Sequence, residues 1–512
     1  MSTLSGSRKG DGVSSAVVGK NVRTLAAGDT RPVELQGQGA GHRVIAIPPG
    51  STQGVSPSPP APAASLAQRL RNTAHLARGV LIERQVPFWP AERLERLQRE
   101  RVRAIVAHAY QSVPFYRRAM DERGLRPADF RSADDLARLP RIDGNYVRTH
   151  LDQFVSTSLT DRERLAFTTS GTLDNVMKVI YWDTAALLHQ IAYQERDRVI
   201  LARLVGRGWG QRQVQILFPD SSVPRLRGFW DSQTIVPPGL ARRGFISLHE
   251  PFSVALARLN RLRPDVIYTY GSYADRFFRV LADRGLRLDH PCVWVYGGDG
   301  ITSGLRELAE ERFGCPLYST YGTTETLRLG FQCERRHGFH LNTDLCAVRV
   351  VGPDGGPIAA GESGDLIVSN LHNRAMVLLN YRLGDRGVWS RQPCPCGRSL
   401  PLLERLDGRI FDRLTLPDGR EIYVADLEFA VRTLLRRTLQ FQVVALAPGR
   451  VIWRIVPPHD LDLNATRQSL IQQTQAYLGM IAQVEVEFLN EIPLSPAGKA
   501  LRVLHFAPSV DD

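Results

Sequence analysis

Residues 265–322 read DVIYTYGSYADRFFRVLADRGLRLDHPCVWVYGGDGITSGLRELAEERFGCPLYSTYG. Three short apolar runs stand out in it: DVIYTYG (265–271), CVWVYGG (292–298) and PLYSTYG (316–322), each rich in β-branched or aromatic residues and each ending in glycine. Between them, ADRFFRVLADRG and GLRELAEERFG place apolar residues three and four apart, the period of an amphipathic helix. Parallel strands need a long crossover, which a helix supplies, so this alternation predicts a parallel sheet flanked by helices. Towards the N-terminus the pattern continues through SVALARLNRLR (253–263) and VQILFP (214–219), and residues 66 to about 116 read as helical. Towards the C-terminus, from about 341, AVRVVGPDGGPI and GDLIVSN predict antiparallel strands, with a turn at Asp354-Gly355-Gly356. From about 408 a further segment has strands and helices of its own, in REIYVADLEFAVRTLL, QFQVVAL, RVIWRIV and SLIQQTQAYL. The predicted class is α/β. A large domain of mixed sheets flanked by helices spans 65–407, and a small α+β domain spans 408–512. Residues 1–64, rich in Gly, Ser, Pro and Ala, have few large apolar side chains to bury and read as a disordered arm.

At 512 residues, 43% of them hydrophobic, the chain is long enough for several packed units. No apolar stretch approaches the roughly 18 residues of a membrane span, and MSTLSGSRKGDGVSS lacks the apolar core of a secretory signal, so a cytoplasmic location is expected. Six cysteines are too few for a disulfide framework. The balance of 65 basic against 52 acidic residues gives a net charge of +13. The basic residues are interleaved with acids, as in AERLERLQRERVRAI, which describes a solvated helix face rather than a nucleic-acid surface. Only four of the 65 are lysines, Lys9, Lys20, Lys178 and Lys499. Two of them, Lys178 and Lys499, lie beyond residue 20, and each is either a chance survivor of an arginine-rich composition or a place where a compact ammonium must touch an oxygen.

Three segments carry chemistry. TTSGTLDNVMK (168–178) surrounds a glycine with hydroxyl residues, the composition that lets N–H and O–H groups wrap a phosphate, and adds Lys178. YGTTET (321–326) puts a flat aromatic, hydroxyls and a carboxylate within a few residues, suited to a base, phosphates and Mg2+. YRLGDRG (381–387) offers a carboxylate at a Gly-Asp turn to ribose hydroxyls.

Taken in order with GGD (297–299), Gly408-Arg409 and PLSPAGKALR (493–502), these segments resemble the adenylate-forming acyl-ligase superfamily over residues 65 to 510. Within it, AHAYQSVPFYRRAMDERGLRP and CPCGRSLPLLERLDGR are similar to the phenylacetate–CoA ligase and coenzyme F390 synthetase-like branch. The resemblance implies an AMP-binding large domain and a mobile C-terminal domain that carries the catalytic lysine. By it, Thr169, Ser170, Gly171 and Thr172 hold the ATP phosphates, assisted by Lys178; Gly298 and Asp299 flank the adenine, and Tyr321 stacks on it. In the Gly322-Thr323-Thr324-Glu325 run, Thr324 reaches phosphate and Glu325 reaches Mg2+. Asp385 binds the ribose with help from Arg409, and Lys499 bridges the attacking carboxylate and the α-phosphate. The implied reaction joins a small or aryl carboxylic acid, through an acyl-adenylate, to CoA or to the phosphopantetheine thiol of a carrier protein. Tyr268, Tyr270 and Tyr273 either border the acyl pocket or pack in the core.

The chain departs from the family pattern in three places. Leu173-Asp174 stands where a Thr-Gly pair is usual, Met177 takes the usual lysine position one residue before Lys178, and Ile410-Phe411-Asp412 replaces a small residue and two acids at the hinge. These departures leave two other readings open: an adenylating enzyme with an amine or hydroxyl acceptor, and a nucleotide-binding protein without catalysis. Separately, Cys333, His337 and His340 lie within eight residues, and Cys394 and Cys396 follow. Three thiolates and one imidazole, with His340 preferred to His337, would complete a tetrahedral structural zinc site; the other reading is inert thiols. Cys292, Cys315 and Cys346 read as buried apolar residues.

Overall fold

The computed structural model describes residues 63–168, 178–208, 210–219, 221–235, 243–302, 304–409, 413–416, 418–479, 482–493 and 501–505. Nearly all of the expected arm, the core of the phosphate segment (169–177), the hinge residues Ile410, Phe411 and Asp412, and Lys499 lie outside the described residues.

Two long helices, Leu66–Glu83 and Ala91–Ser112, open the described chain. The second buries Leu94, Val102, Ile105, Val106 and Ala109 along one stripe, at the spacing its sequence shows. A large sheet follows, twelve-stranded among the described residues. One half is parallel and runs in the order Arg243–Ser247, Gln213–Leu217, Val266–Tyr270, Val293–Gly297, Leu317–Tyr321. Its inner strands are largely buried, most completely Val293–Gly297 and Leu317–Tyr321, whereas the edge strand Arg243–Ser247 buries only Ile246. The crossover helices Phe252–Leu262 and Gly271–Asp283 pack their apolar faces on it through Leu256, Leu259, Phe277, Phe278 and Leu281.

At Tyr321 the direction of pairing changes. Gly330–Phe331 returns antiparallel to Leu317–Tyr321, and Phe339–Leu341, Leu402–Arg409, Tyr381–Trp389, Ser363–Asn370 and Cys346–Val351 extend the antiparallel half. A large cluster around Phe154, Phe167, Trp182, Leu345, Leu366 and Leu379 fills this half. The antiparallel strands after residue 341 and the helix–strand alternation before it stand where the sequence pattern puts them.

A second sheet, Gln483–Phe488, Arg450–Val456, Gln440–Ala447 and Val503–His505, has its own core of Val443, Trp453, Ile455, Leu470 and Leu427. The strand Leu402–Arg409 crosses the expected 407/408 boundary, so this smaller unit follows directly from a strand of the large sheet. No helix among the described residues is long and apolar enough to cross a membrane.

Candidate active site

Parallel strands bring the loops at their carboxyl ends to one edge of the sheet, the usual place for a ligand in such sheets. Three adjacent strands end here in Gly271-Ser272, Gly297-Gly298-Asp299 and Gly322-Thr323. The loops pack backbone to backbone, which explains two of the glycines. A Cβ on Gly271 would lie 2.5 Å from the Gly300 carbonyl oxygen, and one on Gly322 would lie 1.9 Å from that of Leu327. Gly298 sits at φ 80°, a conformation that favours glycine. Ser272 donates from its backbone N–H and its Oγ to the two carboxylate oxygens of Asp299, at 3.2 and 2.5 Å, and so fixes the side chain of the GGD loop.

Tyr321, at the end of its strand, donates its hydroxyl to Asp385 Oδ2 at 2.7 Å, joining the YGTTET and YRLGDRG segments. Asp385 is the direct cross-strand partner of Arg409. Thr323 and Thr326 close a tight turn, with their hydroxyls 3.2 Å apart. Trp182 Nε1 donates to the Thr324 carbonyl at 2.8 Å, and Asn370 Nδ2 donates to the Glu325 carbonyl at 2.8 Å. The backbone of the loop is therefore held from the strand after the phosphate segment and from the antiparallel half at once.

Glu325 is buried, and its Oε1 receives both Lys178 Nζ and the Tyr381 hydroxyl, each at 2.9 Å; Lys178 also donates to Tyr381 at 3.0 Å. Burial alone raises a carboxyl pKa. Lys178 and the hydrogen bonds outweigh it here, and the Glu325 carboxyl is held below its ordinary value. The Tyr381 hydroxyl is pushed the other way, first by burial and then by the Glu325 charge. Gly144 makes room for this triad, since a Cβ there would lie 2.6 Å from Lys178 Nζ and 3.1 Å from the Tyr381 hydroxyl.

The structure thus brings together Lys178, Gly298, Asp299, Tyr321, Gly322, Thr323, Thr324, Glu325, Asp385 and the backbone of Arg409. Thr169, Ser170, Gly171, Thr172 and Lys499 lie outside the described residues. Tyr381, Trp182, Ser272 and Gly144 had no role in the sequence reading. Tyr381 opens the YRLGDRG segment and was the one legible signal among them. Tyr268 packs with Val266 and Val293, and burial raises its hydroxyl to about 12. Tyr270 and Tyr273 pack against the core of the parallel half.

No family model matches the chain. A phenylacetate-coenzyme A ligase from Thermus thermophilus is 26% identical over 455 residues, covering 81% of this chain and 97% of the relative. One from Escherichia coli is also 26% identical, over 446 residues, 80% of this chain and 94% of the relative. The chain is a relative of the phenylacetate–coenzyme A ligases. In structure, 2-hydroxyisobutyryl-CoA ligase in the postadenylation state, in complex with R3-HIB-AMP, matches at TM-score 0.65 and 19% identity, over 82% of this chain and 91% of that one. The same enzyme in the thioesterification state, with 2-HIB-AMP and CoA, matches at TM-score 0.52. The fold is that of the adenylate-forming CoA ligases.

A second cluster lies on the antiparallel half. Cys333 follows the strand Gly330–Phe331, His340 sits in its hairpin partner Phe339–Leu341, and Cys394 and Cys396 come from the loop before Leu402–Arg409. The four donor atoms lie within 4.8 Å of one another, and His340 rather than His337 is the histidine among them. Cys333 Sγ is 3.6 Å from Cys394 Sγ, and Cys396 Sγ is 3.3 Å from His340 Nε2. A regular tetrahedron with zinc–sulfur bonds of about 2.3 Å has edges of about 3.8 Å, close to this spacing. His340 Nδ1 faces the Leu400 carbonyl at 2.9 Å, which leaves Nε2 turned inward as a ligand nitrogen. Burial lowers the His340 pKa and favours the neutral imidazole that a metal requires. Cys292, Cys315 and Cys346 are buried among apolar residues, as the sequence indicated.

Proposed function

We propose that the chain is an AMP-forming acid–thiol ligase, and that the edge formed by residues 271–272, 297–299, 321–326 and 381–385 is its nucleotide site. The observation that carries the reading is the convergence of Tyr321, Asp299 and Glu325, at or just beyond the carboxyl ends of adjacent parallel strands, with Asp385 of the antiparallel strand Tyr381–Trp389, which accepts from Tyr321. That set offers an aromatic face for the base, a carboxylate for the ribose and a buried acid facing the phosphates.

In the first step a carboxylate oxygen of the acid attacks the α-phosphorus of ATP, and the bond from that phosphorus to the bridging oxygen breaks. The products are an acyl-adenylate and pyrophosphate. Two anions must approach, so a cation has to sit between them, and Lys499 takes that role in the reading. In the second step a thiol, from CoA or a carrier-protein phosphopantetheine, attacks the acyl carbon and AMP leaves. CoA is favoured by the relatives, and an aryl or small acid is the substrate class.

Mg2+ suits the acid present here. Glu325 is a carboxylate kept ionised in a buried place, the hard oxygen donor such a cation takes, and a bound Mg2+ neutralises charge on the phosphates. Lys178 and Tyr381 hold that carboxylate in place. Cys333, His340, Cys394 and Cys396 would hold a structural zinc, which would tie the Cys394–Cys396 loop to the hairpin.

The test is acid-dependent exchange of labelled pyrophosphate into ATP, with phenylacetate as the first of a panel of aryl and short-chain acids. Exchange that needs the acid supports the reading. Absence of exchange with every acid favours the non-catalytic alternative, and product mass with and without CoA separates a thiol from an amine acceptor.

A further inference from the structure

The helix Gly271–Asp283 begins beside the Ser272–Asp299 contact and runs from that edge towards the smaller sheet. One turn apart on it, Asp275 and Arg279 form a buried pair, with Nε to Oδ1 at 2.6 Å. Thr302 completes the group. Its backbone N–H donates to Asp275 Oδ2 at 2.8 Å, and its hydroxyl receives Arg279 Nη2 at 2.7 Å. The remaining arm of the guanidinium, Nη1, reaches out of the large unit and donates to the carbonyls of Arg436 and Thr438, at 2.7 and 3.1 Å. These residues follow the short helix Arg432–Leu435, where terminal carbonyls lack partners within the helix.

Two more contacts from the same helix bind the smaller unit. Asp283 accepts from the His459 backbone N–H at 2.9 Å and lies 2.7 Å from His459 Nδ1, and Arg276 is 3.7 Å from Glu491. At the GGD loop, Arg502 Nη2 lies 3.8 Å from where a Cβ on Gly300 would sit. Glu491 and Arg502 bracket the PLSPAGK segment in sequence, and they lie near the helix and near the GGD loop respectively.

We propose that Asp275, Arg279 and Thr302 form an interdomain latch, with Arg279 as a positioning residue that holds the C-terminal unit in the arrangement that serves adenylate formation. The proposal rests on the ligase reading above and goes beyond it by assigning the grip to one buried arginine. Charge-assisted bonds to two specific carbonyls are directional, so they are made in one orientation of the C-terminal unit and broken in any other. The overall arrangement is nearer to the postadenylation form of the structural neighbour than to its thioesterification form, at TM-scores of 0.65 and 0.52.

The test uses the full chain and two variants. Arg279→Lys keeps the charge beside Asp275 and removes the arm to the carbonyls; Asp283→Ala removes the second contact without touching Arg279. Nitroxides on unnatural amino acids at the exposed positions Leu286 and Tyr477 report the separation of the two units without using native thiols. The wild-type protein is expected to give one narrow distance distribution, and Arg279→Lys a broad one. With phenylacetate as the acid, pyrophosphate exchange should fall at least tenfold in Arg279→Lys. Conversion of synthetic phenylacetyl-adenylate and CoA to the thioester should stay within twofold of wild type. Asp283→Ala should shift both readouts the same way by less. Unchanged distances in both variants, or equal loss of the two half-reactions, would overturn the latch. If the wild-type protein exchanges nothing with phenylacetate, the substrate assignment fails while the label distances still decide the latch.

Discussion

Replacing Lys178 by Met tests the triad at the nucleotide edge, because it removes one partner of the Glu325 ion pair and keeps similar bulk. The carboxylate stays buried and retains Tyr381 as a donor to Oε1. Removing one member of a buried pair costs about 3–5 kcal/mol. Lys178 is 22% exposed and Tyr381 still donates, so the lower end, about 3 kcal/mol at pH 8, is expected. The pH dependence has a definite sign. In the wild-type protein the Glu325 pKa is depressed, so its contribution to stability is present above the unfolded-state value, about 4.3, and is lost as pH falls through the folded value. In the variant the lysine is gone and burial dominates, so the folded pKa rises and the variant gains stability as the carboxyl protonates. The difference between the two proteins should therefore narrow steadily from pH 8 to pH 5. Urea denaturation across that range measures it, with Lys178→Met/Glu325→Gln as the companion that should recover most of the loss. A gap that stays constant with pH, or a double variant no better than the single, would refute the ion-pair reasoning.

Three further outcomes are expected. Purified protein should carry about one zinc per chain, and Cys394→Ser with Cys396→Ser should lower the melting temperature more than the turnover of the protein that remains folded, read by metal analysis and scanning calorimetry. Lys499→Ala should slow pyrophosphate exchange at least a hundredfold, which corresponds to about 3 kcal/mol at the transition state, while the thioester step from synthetic adenylate survives. Asp385→Ala should weaken ATP binding, measured by calorimetric titration, because it removes the carboxylate that Tyr321 positions.

In the parallel half, Val266–Tyr270, Val293–Gly297 and Leu317–Tyr321 were legible because they are largely buried and closed by glycine, whereas the edge strand Arg243–Ser247 buries only Ile246 and gave no such run. Runs such as CVWVYGG have no other stable use between two amphipathic helices. Glu325, Tyr321 and Asp385 were legible as residue types in short segments: Tyr321 ends its strand and Glu325 follows it in the next loop, while Asp385 lies within the strand Tyr381–Trp389 rather than in the turn its Gly-Asp pair suggested. What joins them was not. Lys178 reaches Glu325 and Tyr381 across 147 and 203 residues of chain, and no local pattern encodes such a contact. The cysteine cluster was readable despite a separation of 61 residues between Cys333 and Cys394, because so few cysteines compete for the pairing. Arg279 was invisible for the opposite reason. It is one arginine among many on a helix whose pattern announces only its apolar face, and its partners in the smaller unit are backbone carbonyls, which any sequence supplies.

The central claim, that this chain activates an acid as its adenylate before passing it to a thiol, is tested most directly by following the carboxylate oxygen. Acid labelled with oxygen-18 in its carboxyl group, beginning with phenylacetate and continuing through the acid panel, is turned over with ATP, Mg2+ and CoA. The released AMP is then weighed by mass spectrometry. Attack by the carboxylate on the α-phosphorus leaves one labelled oxygen on AMP, and the account predicts AMP heavier by that single oxygen together with the acyl-CoA. Label appearing in inorganic phosphate, unlabelled AMP beside the thioester, or no AMP from any acid of the panel would contradict it.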